Sequence, residues 1–275
     1  MPKENAEEPV SIRHTVLKID MRRNSVQSFM DEIVVESQVS LYINGHPYAM
    51  FSVTPFEIKE LIVGHLMAEG IIDKLDEIVE LKIDKERVDV QLSKEVPMGN
   101  MRIVSTECGS RGRKIPPQIW MNPKKQGSSI KFTSQAIMAA AKNLNSSAET
   151  YRKTGGTHAA ALMDEQGCIL AVSEDISRHS AVDKAIGKAV LQGLDFKEMF
   201  LTSSGRITSD IVIKAANVRI PVIVSISAPT DKGVKLAEMM GVTLIGFARG
   251  RRFNIYAHPE RVVLHENSGG SSLCA

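Results

Sequence analysis

The sequence predicts an α/β protein in two parts: a smaller N-terminal α+β module, then a mixed, largely parallel sheet with helices on both faces. Three observations predict it. From Thr157 onward, short apolar runs alternate with helix-length runs, the rhythm of strands joined by crossover helices. Before that, alternating runs are joined by tight-turn residues around a single helix. Between Ser105 and Ser129 the pattern breaks into Gly, Pro, Lys and Arg, with only Ile115, Ile119 and Trp120 as apolar anchors, which reads as a long loop or linker. The expected divisions are a tail over 1–10, the first module over 11–128, the α/β module over 129–267 and a second tail over 268–275.

Within the first module, Val39, Leu41 and Ile43 alternate with polar neighbours, Asn44-Gly45 offers a tight turn, and Tyr48 to Val53 resumes an extended run, the signature of a hairpin. A helix follows. Thr54 is its expected N-cap, Pro55 its first residue and Glu57 the partner in a capping box, with Ile58, Leu61, Ile62 and Leu66 as the apolar stripe ending at Gly70. Ile78 to Ile83 and Val88 to Leu92 form a second hairpin across Asp84-Lys85-Glu86-Arg87, and Met101 to Val104 a further strand.

A helix is expected from Thr133 or Ser134 through Leu144, with a short helical piece over Ala148 to Lys153. The α/β module then reads as strand His158 to Met163, turn Asp164 to Gly167, strand Ile169 to Ser173 and a helix from about His179 to Leu191. Next come strand Met199 to Ser203, helix Ile207 to Val218, strand Pro221 to Ser227, helix Lys232 to Met240 and strand Val242 to Phe247.

The 275 residues are 43% hydrophobic and 24% charged, an ordinary globular composition that excludes disorder as the main state. With 34 Lys and Arg against 32 Asp and Glu, the formal charge of +2 provides no large field to condense on nucleic acid or an anionic membrane. An anionic partner must therefore be held by a local cluster of basic residues. Cys108, Cys168 and Cys274 are too few and too scattered for a disulfide framework, no run approaches a membrane span, and a reducing, cytoplasmic setting is expected.

In open parallel sheets, ligands bind beyond the carboxyl ends of the strands, where helix N-termini present free backbone N–H groups. Four segments should converge there: Glu174 to His179, Ser203 to Thr208, Ser227 to Thr230 and Ala248 to Arg252. Gly205 permits close backbone approach, Ser204 and Thr208 can donate hydroxyls, and Arg206, Arg249, Arg251 and Arg252 are planar forks suited to phosphate. A nucleotide or pyrophosphate ligand is predicted; the competing reading is four well-capped helix starts with solvated arginines. His179 follows Arg178 and precedes Asp183 by four residues, so Asp183 could hold its ring for a ligand contact; the competing reading is a helix-start histidine with a purely structural bond. The run Arg152-Lys153-Thr154-Gly155-Gly156-Thr157 lacks the order of a phosphate loop and precedes a strand, so it reads as a tight turn with a basic flank. None of the seven histidines has a zinc-ligand spacing, so no protein-ligated metal is expected.

Cys108 lies in Glu107-Cys108-Gly109-Ser110-Arg111-Gly112-Arg113-Lys114, where glycines permit a mobile loop and three cations favour the thiolate. That is a nucleophile's setting, against which Glu107 works. Cys168, opening an apolar strand beside a turn, reads as structural.

Five ordered segments carry a resemblance: 152–162, 174–184, 203–208, 227–230 and 246–256. Together, and with Thr54 to Ile72, they closely resemble the FdhD family of formate dehydrogenase accessory proteins over nearly the whole chain. The resemblance implies a cytoplasmic sulfur carrier. It would accept sulfur as a persulfide from a cysteine desulfurase and pass it to the molybdenum of the bis(guanine dinucleotide) cofactor before that cofactor enters the formate dehydrogenase catalytic subunit. It places the persulfide on Cys108, in the loop matching the family's Cys-Gly-x-Cys-Gly pattern, whose second cysteine is Arg111 here. No disulfide can then form within the motif, and a one-cysteine relay is chemically sufficient.

The resemblance places the cofactor on Phe247, Ala248, Arg249, Gly250, Arg251 and Arg252, in agreement with the strand-end reading, which adds Arg178, His179, Ser204, Gly205, Arg206 and Thr230. It further implies a cytidine-deaminase-like second module. Where deaminases carry His-x-Glu and Pro-Cys-x-x-Cys zinc ligands, this chain has Arg178-His179-Ser180 and Ser204-Gly205-Arg206, so anion contacts replace metal ligands. A homodimer fits the implied role; nucleic acid and membrane do not. The two rival readings are a cofactor-binding chaperone without sulfur chemistry and a zinc-dependent nucleotide deaminase, which the missing ligands disfavour.

Overall fold

A computed structural model describes residues 9–96, 102–104 and 130–264. The chain opens on a two-stranded antiparallel ribbon, β1 (Ser11–Asp20) and β2 (Ser25–Val34), which the sequence pattern did not disclose. Its apolar residues are divided between its two faces, Ile12, Val16, Phe29 and Ile33 on one and Leu17, Ile19, Val26 and Met30 on the other, so no one-sided alternation marks it.

The first module is a five-stranded sheet ordered β5-β6-β3-β4-β7 with one helix across it. Its strands are β3 (Ser37–Ile43), β4 (His46–Val53), β5 (Ile78–Asp84), β6 (Arg87–Leu92) and β7 (Arg102–Val104). Asn44 and Gly45 both take positive φ, 50° and 81°, the two-residue turn whose twist suits a right-handed hairpin. Both expected hairpins are present. Helix α1 (Ile58–Ala68) packs Leu61, Ile62 and Leu66 onto Leu41, Phe51 and Val90.

The start of α1 departs from expectation. Glu57, not Thr54, occupies the N-cap position, in left-handed conformation and without a side-chain cap. Thr54 donates from both its N–H and Oγ1 to Asp175 Oδ2, at 3.1 and 2.9 Å, while Lys184 Nζ donates to its Oγ1 at 2.8 Å. Glu57 pairs with Lys188 rather than closing a capping box. A buried carboxylate needs donors more than a helix end facing water does, and Asp175, fully buried, takes the threonine.

The second module is a six-stranded sheet ordered β10-β9-β11-β12-β13-β14. Its strands are β9 (His158–Met163), β10 (Ile169–Asp175), β11 (Phe200–Ser203), β12 (Val222–Ser225), β13 (Thr243–Arg249) and β14 (Arg252–Ala257). Only β11-β12 and β12-β13 pair in parallel; β10-β9, β9-β11 and β13-β14 are antiparallel. The sheet is mixed, as expected, but not largely parallel: antiparallel pairings outnumber parallel ones. Tight turns can join only antiparallel neighbours, and both flanks close with them: Asp164 caps one, accepting from Gln166 and Cys168 N–H, and Gly250-Arg251 makes the other. A two-stranded parallel pair, β8 (Phe132–Thr133) with β15 (Val262–Val263), completes the described strands.

Helices cover both faces, as expected. On one, α2 (Ser134–Ser147), capped by Thr133 Oγ1 accepting from Ala136 N–H at 3.1 Å, packs Ile137, Ala140 and Leu144 onto Ala161, Phe200 and Val224. A short α3 (Glu149–Thr154) follows and ends on Gly155 at φ 68°. On the other, α4 (Arg178–Leu191), α5 (Ser209–Asn217) and α6 (Asp231–Met240) cover Leu162, Leu201, Ile223 and Leu244. The two modules meet where α1 crosses α4. A Cβ on Gly64 would lie 1.8 Å from Asp183 O, and one on Gly187 1.8 Å from Glu60 O, so the helix backbones touch. The expected module boundary at 128 and the tail from 268 lie outside the described residues.

Candidate functional site at the strand ends

The loops that leave β11, β12 and β13 are laced together by backbone hydrogen bonds. Ile226 N–H donates to Ser203 O, Ile207 N–H to Ala228 O, Thr230 N–H to Ile207 O and Phe247 N–H to Ser227 O, at 2.9 to 3.2 Å. Ser225 Oγ donates to Gly205 O at 2.7 Å. The fourth loop joins them through Arg178, whose stem lies so close that a Cβ on Gly205 would come within 2.7 Å of Arg178 Cβ. Gly205 is thus required for close approach, though to a side chain of the protein itself.

Arg178 and His179 are buried, Ser204 half-buried and Arg206 exposed, all on this rim. Thr230 caps α6, its Oγ1 accepting from Gly233 N–H at 3.1 Å, so its hydroxyl serves the helix. Phe247 is half-buried at φ 55°, with the Arg249 guanidinium 5.6 Å from its ring. Ala248 is fully buried in the core beneath α2 and cannot touch a ligand through its side chain. Arg249, Gly250, Arg251 and Arg252 are not a loop entering a helix. They are the exposed tip of the β13-β14 hairpin, with Arg249 directly opposite Arg252. None of these three arginines forms an ion pair with a described carboxylate, and two like charges opposed across strands repel unless an anion joins them.

His158, absent from the sequence-derived set, belongs to the rim. At the first residue of β9, its Nδ1 lies 3.2 Å from Ser204 Oγ, which also accepts from Ala159 N–H at 2.9 Å. Burial, then Arg178, lowers its pKa, so it favours the neutral form. Its place at the opening of a strand after Gly155-Gly156-Thr157 was the signal available. That glycine run makes no phosphate loop: Thr157 Oγ1 donates to Glu174, whose carboxylate also accepts the Thr150 and Tyr151 N–H groups at the start of α3.

Asp183 does not hold His179. It accepts both oxygens' worth of Lys214 Nζ, at 2.7 and 2.8 Å, and lies 3.0 Å from His65 Nδ1; Lys214 also pairs with Glu69 at 3.0 Å. A buried ammonium is the stronger claimant, since burial costs a charge more than a neutral ring. His179 Nε2 is left without a hydrogen-bond partner, as are Ser177 Oγ and Ser180 Oγ. Each such buried atom costs about 1–3 kcal/mol.

Burial, then Arg178 and Lys214, pushes the His179 pKa down to about 3. Its folded value lies below its unfolded one, so the unfolded chain binds the extra proton and stability falls as pH drops from the ordinary histidine range toward 3. Between pH 7.5 and 5 this term is worth about 2 kcal/mol. Urea denaturation at both pH values should show that loss in the wild type and a shallower one in His179→Gln; equal acid losses in both would refute the assignment.

Cys108 and Arg111 lie outside the described residues. Cys168, half-buried just before β10, lies at the end of that strand opposite the Glu174–His179 loop. Among the described residues no three His, Cys, Asp or Glu side chains cluster to hold a metal, and no helix is long and apolar enough to cross a membrane.

Comparison with known proteins gives a consistent picture. A family model described as the FdhD/NarQ family matches residues 34–263. The sulfur carrier protein FdhD of Methanothermobacter thermautotrophicus is 35% identical over 247 residues, covering 90% of this chain and 96% of that protein. Its namesake in Bacillus subtilis is 32% identical over 246 residues, covering 87% and 94%. A crystal structure from Desulfotalea psychrophila, of a protein described as a formate dehydrogenase accessory protein, superposes with a TM-score of 0.76 at 25% identity, over 93% of this chain and all of that one.

Proposed function

Because the chain belongs to the FdhD/NarQ family, we propose that it is a sulfur carrier serving formate dehydrogenase, and that the strand-end rim holds the cofactor to which the sulfur is delivered. The cargo is a molybdenum bis(guanine dinucleotide). Its phosphates are anions, and the observation that carries the reading is the convergence of Arg178 and Arg206 on one laced rim beside an exposed hairpin tip whose Arg249, Arg251 and Arg252 pair with no described carboxylate. Ser204 and the Gly205 backbone border the same rim. We read the second module as cytidine-deaminase-like, with arginine and serine where that fold carries metal ligands.

Sulfur is loaded on Cys108. Its thiolate attacks the terminal sulfur of a cysteine desulfurase persulfide; the new S–S bond forms at Cys108, the donor's S–S bond breaks, and the donor leaves as a thiolate carrying the electron pair. In delivery the Cys108 thiolate is the leaving group, and the acceptor supplies the electron pair that binds the transferred atom. The cations around Cys108 in sequence favour the anionic forms at both stages.

Mass spectrometry after incubation with a cysteine desulfurase and cysteine should find one added sulfur on Cys108, and Cys108→Ser should abolish both uptake and formate dehydrogenase maturation. Undiminished maturation by Cys108→Ser, with failure of Arg251→Ala, would replace this reading with a binding-only chaperone. Stoichiometric zinc in the purified protein would favour the deaminase instead.

A further inference from the structure

The two modules carry the two halves of the proposed reaction. The second holds the rim, and the first holds the strand from which the chain proceeds to Cys108. That strand is β7, which pairs in parallel with β4, Phe51 opposite Val104. Cys108 follows Val104 by four residues, so covalent geometry alone keeps its Cα within about 14 Å of Val104 Cα. Delivery of sulfur therefore depends on how the end of β4 is set against the rim.

Thr54 makes that join. It follows β4 directly, is fully buried, and donates from its N–H and its hydroxyl to Asp175 Oδ2 at 3.1 and 2.9 Å. Asp175 in turn shapes the rim segment Glu174 to His179, since its Oδ1 accepts from Ser177 N–H at 2.8 Å. Lys184 of α4, fully buried beside them, donates to Asp175 Oδ2 at 2.6 Å, to Thr54 Oγ1 at 2.8 Å and to Thr54 O at 3.2 Å, with the Phe56 ring centred 4.3 Å from its Nζ. Every ammonium hydrogen thus has an acceptor, and a fully satisfied buried network admits one arrangement.

Stability does not account for this network. A buried ion pair gains little over apolar side chains of the same volume, because desolvation offsets the attraction. What it supplies is direction. The glycine crossing of α1 and α4 fixes how near the helices lie, through packing that favours no direction, whereas the bonds from Thr54 hold only over a narrow range of distance and angle. The Asp175–Lys184 pair and the Ser177 bond lie wholly within the second module, so they keep the rim in shape without Thr54. The threonine hydroxyl serves the junction.

We infer that Thr54 is a positioning residue for sulfur delivery: by bonding to Asp175 it sets the β4–β7 edge, and with it the sulfur carried on Cys108, at a fixed place against the cofactor on the rim. This rests on the sulfur carrier reading and adds to it a residue that touches neither sulfur nor cofactor.

The test uses the full chain and reads three steps separately. Mass spectrometry follows sulfur added to Cys108 by a cysteine desulfurase and cysteine, calorimetry gives the affinity for guanosine 5′-monophosphate, and formate dehydrogenase maturation is assayed in cells lacking their own carrier, at equal protein level. Thr54→Val keeps the side-chain shape and removes the hydroxyl. It should load sulfur and bind the nucleotide within about twofold of wild type while maturation falls about tenfold, because reacting groups held slightly out of place lose rate steeply. Thr54→Ser, which keeps the hydroxyl, should mature the enzyme as wild type does. Ile62→Val destabilises the chain through packing alone, in the buried stripe of α1, and should leave maturation intact. Full maturation by Thr54→Val would overturn the inference, as would a Thr54→Ser no better than Thr54→Val. Loss of loading, nucleotide affinity and maturation together would make the threonine structural and overturn it too, and so would an equal maturation defect in Ile62→Val. A wild type that takes up no sulfur would instead remove the sulfur carrier reading, and the inference with it.

Discussion

Gly187→Ala should cost about 3 kcal/mol of stability, at the upper end of what one inserted methyl does in a packed interior. The added Cβ would lie 1.8 Å from Glu60 O and 2.6 Å from its carbonyl carbon. Both are backbone atoms of α1, so no side chain can rotate aside and the helices themselves must separate. Separation strains what the crossing brings together: the Lys188–Glu57 pair, the His65–Asp183 contact and the Asn217 Nδ2 bond to Ala68 O at 2.8 Å. Gly64→Ala should do the same from the other side, where its Cβ would meet Asp183 O at 1.8 Å and Gly187 N at 2.6 Å. Urea denaturation reads the effect, and a midpoint within error of wild type for either variant would show that the helices do not touch as described.

Lys214→Met should cost more, about 4 kcal/mol. Lys214 is fully enclosed between Asp183 and Glu69, whose side chains are 1% and 6% exposed. Burial works against its charge, and the two carboxylates outweigh that, holding its pKa above the ordinary lysine value. Methionine fills much of the same volume, so the loss is electrostatic: two buried carboxylates are left facing each other without a cation. The triple variant Lys214→Met, Asp183→Asn, Glu69→Gln should recover most of the loss, since neutral groups remove the repulsion. A single variant as stable as wild type, or a triple variant no better than the single, would contradict the account.

Much of the molecule was readable before any coordinates. The Asn44-Gly45 hairpin and the strands and helices from His158 to Phe247 came from local pattern, because turn stereochemistry and apolar periodicity belong to neighbours along the chain. The failures have a common cause. Thr54 has every mark of an N-cap, and serves Asp175 instead, 121 residues away. Asp183 stands one helical turn from His179, and serves Lys214 and His65, 31 and 118 residues away. Arg249 to Arg252 read as a strand end entering a loop, and form a hairpin tip whose second strand, β14, had no apolar alternation strong enough to announce it. His158 went unremarked because nothing in its own segment shows that Ser204 lies against it.

The amino-acid order alone disclosed most of the turns and of the helical and extended runs, and family kinship through five ordered segments. Only the folded molecule decided which polar groups meet. A buried carboxylate, ammonium or hydroxyl must find some partner, but the chemistry is indifferent to which one, so the choice falls to whichever group the packing of distant helices brings within 3 Å. The same packing left Ser177 Oγ, His179 Nε2 and Ser180 Oγ without a hydrogen-bond partner, which has no trace in the sequence because it depends on what the neighbouring elements fail to supply.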